Sequence, residues 1–182
     1  MSERVEPDGV PAGVRVLAPF EESDLRVARD LATGAAIGQP PEWVRLDPGD
    51  AAIALAWPEE TLDPGQFRPN IVVTVERLDG SAALGGYTRA FTEGLLAEFP
   101  GAHVLSVEPV TLHGGHEGCR LVAAYRSSGF AVTLTQYWTV TEDIVTSVGQ
   151  SCAVDAFDAL AGLFGASMKH FSPGIRMPIE RQ

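Results

Sequence analysis

The fold of this chain is organised around residues 70–99, which read NIVVTVERLDGSAALGGYTRAFTEGLLAEF. Its first seven residues are rich in β-branched side chains, which is typical of a strand in a packed sheet. Asp79 and Gly80 break the strand, and Ser81 is placed to cap a following helix. Apolar residues then recur at helical spacing and form one face, namely Leu84, Tyr87, Phe91, Leu95 and Phe99. The stretch therefore predicts a strand and an amphipathic helix that needs a sheet to lie on.

Four strand-like segments follow this helix in close order. They span about residues 103–112, 117–126, 130–141 and 144–152. The joints between them are short, because they centre on residues 114–115, 127–129 and 142–143. Short joints force antiparallel neighbours, since a parallel pair needs a long crossover connection. These segments predict a four-stranded meander.

The rest of the chain supplies shorter elements. Before the central stretch we expect a loose arm over 1–12, a strand at Val14 and Val16, a helix over 23–36 and strands over 42–46 and 51–57. After the meander, an apolar face predicts a last helix over about 154–171, formed by Phe157, Leu160, Ala161, Phe164, Met168 and Phe171. Residues 173–182 are expected to form a tail. The predicted class is α+β, a single-domain (13–172) α/β/α sandwich with a mostly antiparallel sheet, in the order βββ-α-ββββ-α plus a short N-terminal helix.

The strand over 130–141 is the most informative about function. One of its faces is apolar except for Gln136, and the other, wetter face carries threonines and Tyr137. The Gln136 amide must find partners, either as a structural bridge or as a ligand contact. The polar face is the best candidate for binding, with a predicted surface of Arg120, Thr133, Thr135, Tyr137 and Ser147. Such a surface suits hydrogen bonding to a peptide or a second protein; the alternative is an ordinary solvated face, or one covered by the helix over 23–36.

Charge and composition exclude several function classes. The net charge is −11, from 24 acidic and 13 basic residues, and no Lys/Arg cluster occurs, which argues against a nucleic-acid partner. No apolar run approaches the length of roughly 20 residues that a membrane helix needs. The polar, acidic beginning lacks a signal core and a lipidation cysteine, so we expect a cytoplasmic protein. Cys119 and Cys152 are expected to be reduced, buried thiols, although a disulfide between neighbouring strands stays open.

Candidate chemical sites are sparse. His113, His116 and Cys119 have a spacing that zinc ligation could use, but the glycines between the histidines favour a hairpin turn with exposed imidazoles. There is no Gly-x-Ser-x-Gly elbow, and the acidic pairs lie at predicted loops or helix caps. We therefore assign no catalytic residue, no metal ligand and no cofactor, and we expect no enzyme activity.

The order of elements, together with short motifs, resembles the PsbP-like α/β/α sandwich and, within it, the actinobacterial LpqN-type lipoprotein family. The motifs are FRPNIVVTVE (67–76), GGHEGCR (114–120), the strand through Tyr125, and LTQY (134–137). The resemblance covers about residues 42–171 and implies a non-enzymatic protein, because lipoproteins, photosystem subunits, a nuclear-transport factor and secretion-effector chaperones share the fold. It supplies no catalytic set to carry over.

These observations predict a non-catalytic binding protein, an adaptor or chaperone for a protein partner, that is a monomer or a weak homodimer. The alternative is a small-molecule or lipid-binding module with a cavity between the sheet and the helix over 81–99. Trp43, Trp57 and Tyr87 would line that cavity.

Overall fold

The computed structural model describes residues 24–78 and 83–175. Within these ranges the chain forms β1 (Arg26–Arg29), β2 (Ala36–Gln39), β3 (Val44–Arg45), β4 (Ile53–Ala56), β5 (Asn70–Arg77), α1 (Leu84–Glu98), β6 (His103–Thr111), β7 (Glu117–Ser127), β8 (Phe130–Thr141), β9 (Ile144–Ala153) and α2 (Phe157–Met168). Seven strands form one antiparallel sheet in the order β3-β4-β5-β9-β8-β7-β6, and β1 pairs with β2 in a separate hairpin. The α+β class is therefore confirmed.

The central stretch folds as predicted. β5 pairs with β4 on one side and with β9 on the other, so it lies inside the sheet. The apolar face of α1 packs against β7 and β8 around Trp138, whose side chain is fully buried. The indole Nε1–H of Trp138 donates a hydrogen bond of 3.0 Å to Thr88 Oγ1 on α1. The predicted cap at Ser81 and the break at Asp79 and Gly80 lie outside the described residues, as do the arm over 1–12 and the strand at Val14 and Val16.

The four-stranded meander is also confirmed. Each strand from β6 to β9 pairs with the next one along the chain. The tight turns place Ser128, Gly129 and Glu142 at positive φ. The turn between β7 and β8 pairs Ser127 with Phe130, and the turn between β8 and β9 pairs Thr141 with Ile144. These pairs determine which residues of β7, β8 and β9 lie on the same face of the sheet.

The second helix covers the opposite face of the sheet from α1. The predicted helix over 154–171 is a 3-10 turn (Val154–Ala156) followed by α2, and its apolar side packs on β4, β5 and β9. We call the sheet face with Val73 and Val148 the α2 face, and the face with Trp138 and Val145 the α1 face. The sheet therefore lies between two apolar helical stripes.

The predicted helix over 23–36 is wrong, because β1 and β2 form a hairpin there that packs on α2. The turn between them is built by Asp30, whose carboxylate accepts hydrogen bonds from the Thr33 backbone N–H (2.8 Å) and hydroxyl (2.6 Å). Gly34 follows at a φ of +84°. An Asp that bonds its own backbone nearby favours a turn over a helix. The helical spacing of Leu25, Ala28 and Leu31 was a coincidence, since Leu31 is at the exposed hairpin turn.

Residues 173 and 174, which the sequence places in the tail, pack against the sheet. Pro173 and Gly174 are buried, and the Gly174 backbone N–H donates a hydrogen bond of 2.9 Å to Thr146 Oγ1. A Cβ on Gly174 would lie 2.9 Å from both methyl carbons of Val75, so any other residue here would force Val75 or the backbone to shift. The packed domain therefore extends to at least residue 174.

Both edges of the sheet are poor templates for another strand. At one edge, β3 has only two residues. At the other edge, β6 contains an irregularity between Val104 and Ser106, and Pro109 has no N–H to donate. Bulges, prolines and short strands are the devices that prevent strand addition. Addition of a further strand at either edge is therefore disfavoured.

Candidate functional site

The register brings four of the five predicted binding residues to the α2 face. Arg120 pairs with Tyr137 across β7 and β8, while Thr133 and Thr135 pair with Cys152 and Gln150 of β9. These four side chains consequently share one face, as the alternation of β8 predicts.

Only two of these four side chains are accessible to solvent. Thr133 and Thr135 are 5% and 7% exposed. The 3-10 turn that precedes α2 contacts β8. The face that we expected to be wetter is thus mostly buried along β8. Arg120 and Tyr137 remain half-buried, farther along the strands.

Glu108 of β6 completes the accessible cluster, although the sequence reasoning did not single it out. The Arg120 Nη2 group donates a hydrogen bond of 2.6 Å to Glu108 Oε1, and both side chains keep about two fifths of their surface exposed (38% and 44%). This bond raises the pKa of Arg120, and the nearby Tyr137 hydroxyl adds to the effect. The sequence does show an acidic residue, Glu108, in the strand before that of Arg120. Its importance became clear only from the strand register, which pairs Glu108 with Arg120.

The prediction for Ser147 is wrong, because this residue lies on the α1 face, opposite Trp138. The two-residue turn pairs Thr141 with Ile144, so odd-numbered residues of β8 share a face with even-numbered residues of β9. The Ser147 hydroxyl is 2.7 Å from the Thr74 hydroxyl, and one of the two donates a hydrogen bond to the other. Ser147 therefore belongs to a different surface.

Gln136 also lies on the α1 face and is 6% exposed. Its carboxamide is not among the buried side-chain polar atoms that lack a hydrogen-bond partner in the described part of the chain, which are Trp43 Nε1, Arg120 Nε, Gln150 Oε1 and His170 Nε2. Its Oε1 points toward Gly149 of β9, because a Cβ built on Gly149 would lie 2.7 Å from it. The structural bridge and the ligand contact both stay predictions for Gln136.

Tyr87 and Tyr125 flank Gln136 on the α1 face. The Tyr87 hydroxyl donates a hydrogen bond of 2.6 Å to Glu76 Oε1. Burial and the Glu76 carboxylate raise the pKa of Tyr87. Tyr125 interacts with Ser151, and burial raises its pKa as well. Both phenols therefore stay neutral near pH 7 and act as hydrogen-bonding groups.

The cavity expected between the sheet and α1 does not have the predicted lining. Trp43 and Trp57 lie on the α2 face, where their ring centroids are 6.2 Å apart, and Trp43 also packs on Phe164. Tyr87 packs on Trp138 on the other face. A shallow groove of about 240 Å³ does lie between the start of α1 and the strands β6 and β7. This volume is below the roughly 300 Å³ at which ligand pockets usually begin.

The histidines and cysteines do not converge. His113 is exposed on the turn before β7, and within the described ranges no group of three His, Cys, Asp or Glu side chains could hold a metal ion. Both cysteines are free thiols in the described structure, and burial raises the pKa of Cys152 to about 12. Neither helix in the described ranges has the length and apolar character needed to cross a bilayer.

Comparison with solved structures identifies the architecture. The chain superimposes on cyanobacterial PsbP from Synechocystis with a TM-score of 0.62 and 15% identity, covering 90% of this chain and 99% of that one. The chain has a PsbP-like fold. It is similar, with a TM-score of 0.62 and 19% identity, to LpqN of Mycobacterium tuberculosis, a protein involved in cell envelope biogenesis; the match covers 82% of this chain and 90% of LpqN.

A protein of unknown function from Pseudomonas aeruginosa shares the PsbP-like fold, with a TM-score of 0.57 and 14% identity, and the match covers 86% of this chain and 99% of that one. No family model matches the sequence, and no curated protein matches it either. Identities this low establish the fold alone.

Proposed function

We propose that this protein is a non-catalytic binding protein, an adaptor or chaperone that presents the Arg120 end of its α2 face to a protein partner. The observation that carries the proposal is the cluster of Arg120, Glu108 and Tyr137, in which opposite charges and a phenol are partly exposed on one face of the sheet. Tyrosine and arginine, together with tryptophan, are enriched among the residues that dominate protein–protein binding energies.

The shape of the sheet supports binding through this face. Both edges resist strand addition, as the two-residue β3 and the bulge and proline of β6 indicate. The half-buried Val122 lies next to Arg120 on the same face, because the two alternate along β7. An apolar side chain among polar groups is the composition that protein interfaces use.

The test is affinity capture from the native cell with quantitative mass spectrometry, using wild type and Arg120→Ala. The Arg120–Glu108 pair is half exposed, so its loss costs roughly 0 to 1 kcal/mol of stability and the variant folds. Arg89→Ala, at an exposed position on α1, is the control because it removes the same charge elsewhere. We expect one stoichiometric protein to be recovered with wild type and with Arg89→Ala, and to be lost with Arg120→Ala.

The swapped double variant, Glu108→Arg with Arg120→Glu, separates recognition from stability. It restores an ion pair at the same place, so unfolding should be close to wild type, whereas a partner that recognises the arginine should still be lost. Recovery of the same protein with all variants would contradict the proposal. Recovery of lipids or metabolites alone would favour the small-molecule alternative. The cytoplasmic location and the monomeric or weakly dimeric state stay predictions.

A further inference from the structure

A groove along strand β6 is open to solvent on the α1 face of the sheet. It has a volume of about 240 Å³ and lies between the start of α1 and the strands β6 and β7. Its lining includes Leu84, Gly85, Thr88, Val107, Glu108 and Cys119. Gly85 and Val107 are exposed, and Cys119, which is 6% exposed, lies deepest among these residues. We call this feature the β6 groove.

The fold already uses the polar groups that line the β6 groove. The Thr88 hydroxyl donates a hydrogen bond of 2.8 Å to the Leu84 carbonyl oxygen and accepts one of 3.0 Å from the Trp138 indole N–H. The Glu108 carboxylate accepts the Arg120 guanidinium at 2.6 Å. The surface that remains for a ligand is mainly apolar, so the groove suits an apolar group.

The size of the β6 groove favours one side chain over a whole small molecule. Its volume is below the range of ordinary small-molecule pockets, which begin at roughly 300 Å³. A pocket that takes a single aromatic or aliphatic anchor is, however, a common centre of a protein interface. Leu105 and Val107 of β6 are 63% and 44% exposed, so apolar surface continues along this strand. Exposed apolar surface of this kind marks interaction sites.

The β6 groove adjoins the proposed partner site, because Glu108 belongs both to the groove and to the ion pair with Arg120. Glu108 and Arg120 pair across β6 and β7, with every residue of β6 at least partly exposed. A partner that contacts Arg120 on the α2 face could therefore reach around β6 into the groove.

The charges near the β6 groove favour a basic neighbour for the apolar side chain. Glu108 lines the groove, and the exposed Glu117 shares the α1 face with Cys119 because the two alternate along β7. Arg89 follows Thr88 on α1 and is exposed. Two carboxylates against one guanidinium, in a chain of net charge −11, attract a basic segment.

We propose, resting on the proposed function for the protein nature of the partner, that the β6 groove binds one large apolar side chain of a protein segment that carries a basic residue beside it. The apolar side chain would lie between Leu84 and Val107, over Cys119.

The first test concerns the protein alone. A Cβ on Gly85 or on Gly94 meets no atom within 4 Å, and both glycines are exposed on α1, but only Gly85 lines the groove. Gly94→Leu should raise the Tm by about 2 to 4 °C, because leucine favours a helix more than glycine does. Gly85→Leu should raise it at least as much, since its leucine also covers the apolar groove. A lower Tm for Gly85→Leu than for wild type would show that the groove cannot hold a large side chain, and would overturn the proposal.

The second test uses a phage-displayed library of random twelve-residue linear peptides, selected on wild type after depletion on Gly85→Leu. Selected peptides should share one Leu, Phe or Trp with a Lys or Arg next to it. In calorimetry they should bind wild type and Gly94→Leu equally, and Gly85→Leu at least about tenfold more weakly, because the groove is then filled. Methyl NMR signals of Leu84 and Val107 should shift on binding, whereas those of Val73 on the α2 face should not.

Failure to select any peptide would overturn the proposal, as would peptides that bind Gly85→Leu as well as wild type or that carry acidic residues beside the apolar one. Arg120→Ala distinguishes this failure from failure of the proposed function. Partner capture that does not depend on Arg120 counts against the proposed function, whereas peptide binding that does not depend on position 85 counts against the groove.

Discussion

Replacing Gly38 by alanine tests the contact between the β1–β2 hairpin and α2. Gly38 is buried and pairs with Val27, and its φ is not in the left-handed region. A Cβ there would lie 2.9 Å from Ser167 Cα and 3.0 Å from the Ser167 carbonyl oxygen. The usual separation of carbon atoms in contact is about 3.5 to 4.0 Å, so the helix or the hairpin must move by about half an ångström.

Overpacking of this kind costs about 1 to 3 kcal/mol. The alanine also restricts the unfolded chain, which returns about 0.4 to 1 kcal/mol. We therefore expect Gly38→Ala to lower the free energy of unfolding by about 1 to 2 kcal/mol, and the Tm by about 2 to 8 °C.

Chemical and thermal denaturation followed by circular dichroism would measure the effect. Gly165→Ala is the control, because the same substitution in the middle of α2 meets no atom and should stabilise the protein by about 0.5 to 1 kcal/mol. The two substitutions should therefore act in opposite directions. A Gly38→Ala protein at least as stable as wild type would show that the hairpin does not pack on α2 as described.

Three further outcomes follow from buried contacts. Thr88→Val should lower the free energy of unfolding by about 1 to 3 kcal/mol, because it leaves the buried Trp138 N–H without an acceptor; Thr88→Ser, which keeps the hydroxyl, should restore most of it. Burial raises the pKa of the Cys152 thiol from 9.0 to about 12, so the free energy of unfolding should be highest below pH 9 and should fall as the pH rises toward 12. Urea titrations at a series of pH values would measure this fall, and Cys152→Ala should reduce it. Gly174→Ala should be destabilising, and Val75→Ala should partly rescue it if the clash seen here is the cause.

Sequence reasoning worked well where structure depends on near neighbours. The spacing from Leu84 to Phe99 gives the helix one apolar face in any environment, and the short joints allow only antiparallel neighbours. The face of Ser147 was also available from the sequence. A two-residue turn at Glu142 and Asp143 pairs Thr141 with Ile144, and counting from that pair places Ser147 on the face of Trp138. The prediction for Ser147 was therefore wrong by one residue in the count along β9, which exchanges the two faces of the strand.

Other features depend on contacts between distant residues. The spacing of Leu25, Ala28 and Leu31 fits a helix, yet burial of Ala35 and Ile37 in the core that includes α2 makes the hairpin the better solution. Helical spacing alone cannot distinguish a helix from a hairpin here, because the hairpin is stabilised by packing with residues of α2 that lie more than a hundred positions away in the sequence. The same holds for Trp43 and Trp57, whose face depends on the placement of β4 beside β5.

The order of residues was enough to predict the α+β class, the long helix over the meander, and a strand that carries one amide among apolar residues. Periodicity and turn length encode these features locally, so no distant contact is needed to read them. The three-dimensional structure was needed to show that Glu108 pairs with Arg120, and that the Gln136 side chain lies over Gly149. Such side-chain contacts depend on the distances between atoms on different strands. Those distances cannot be obtained from the order of residues alone.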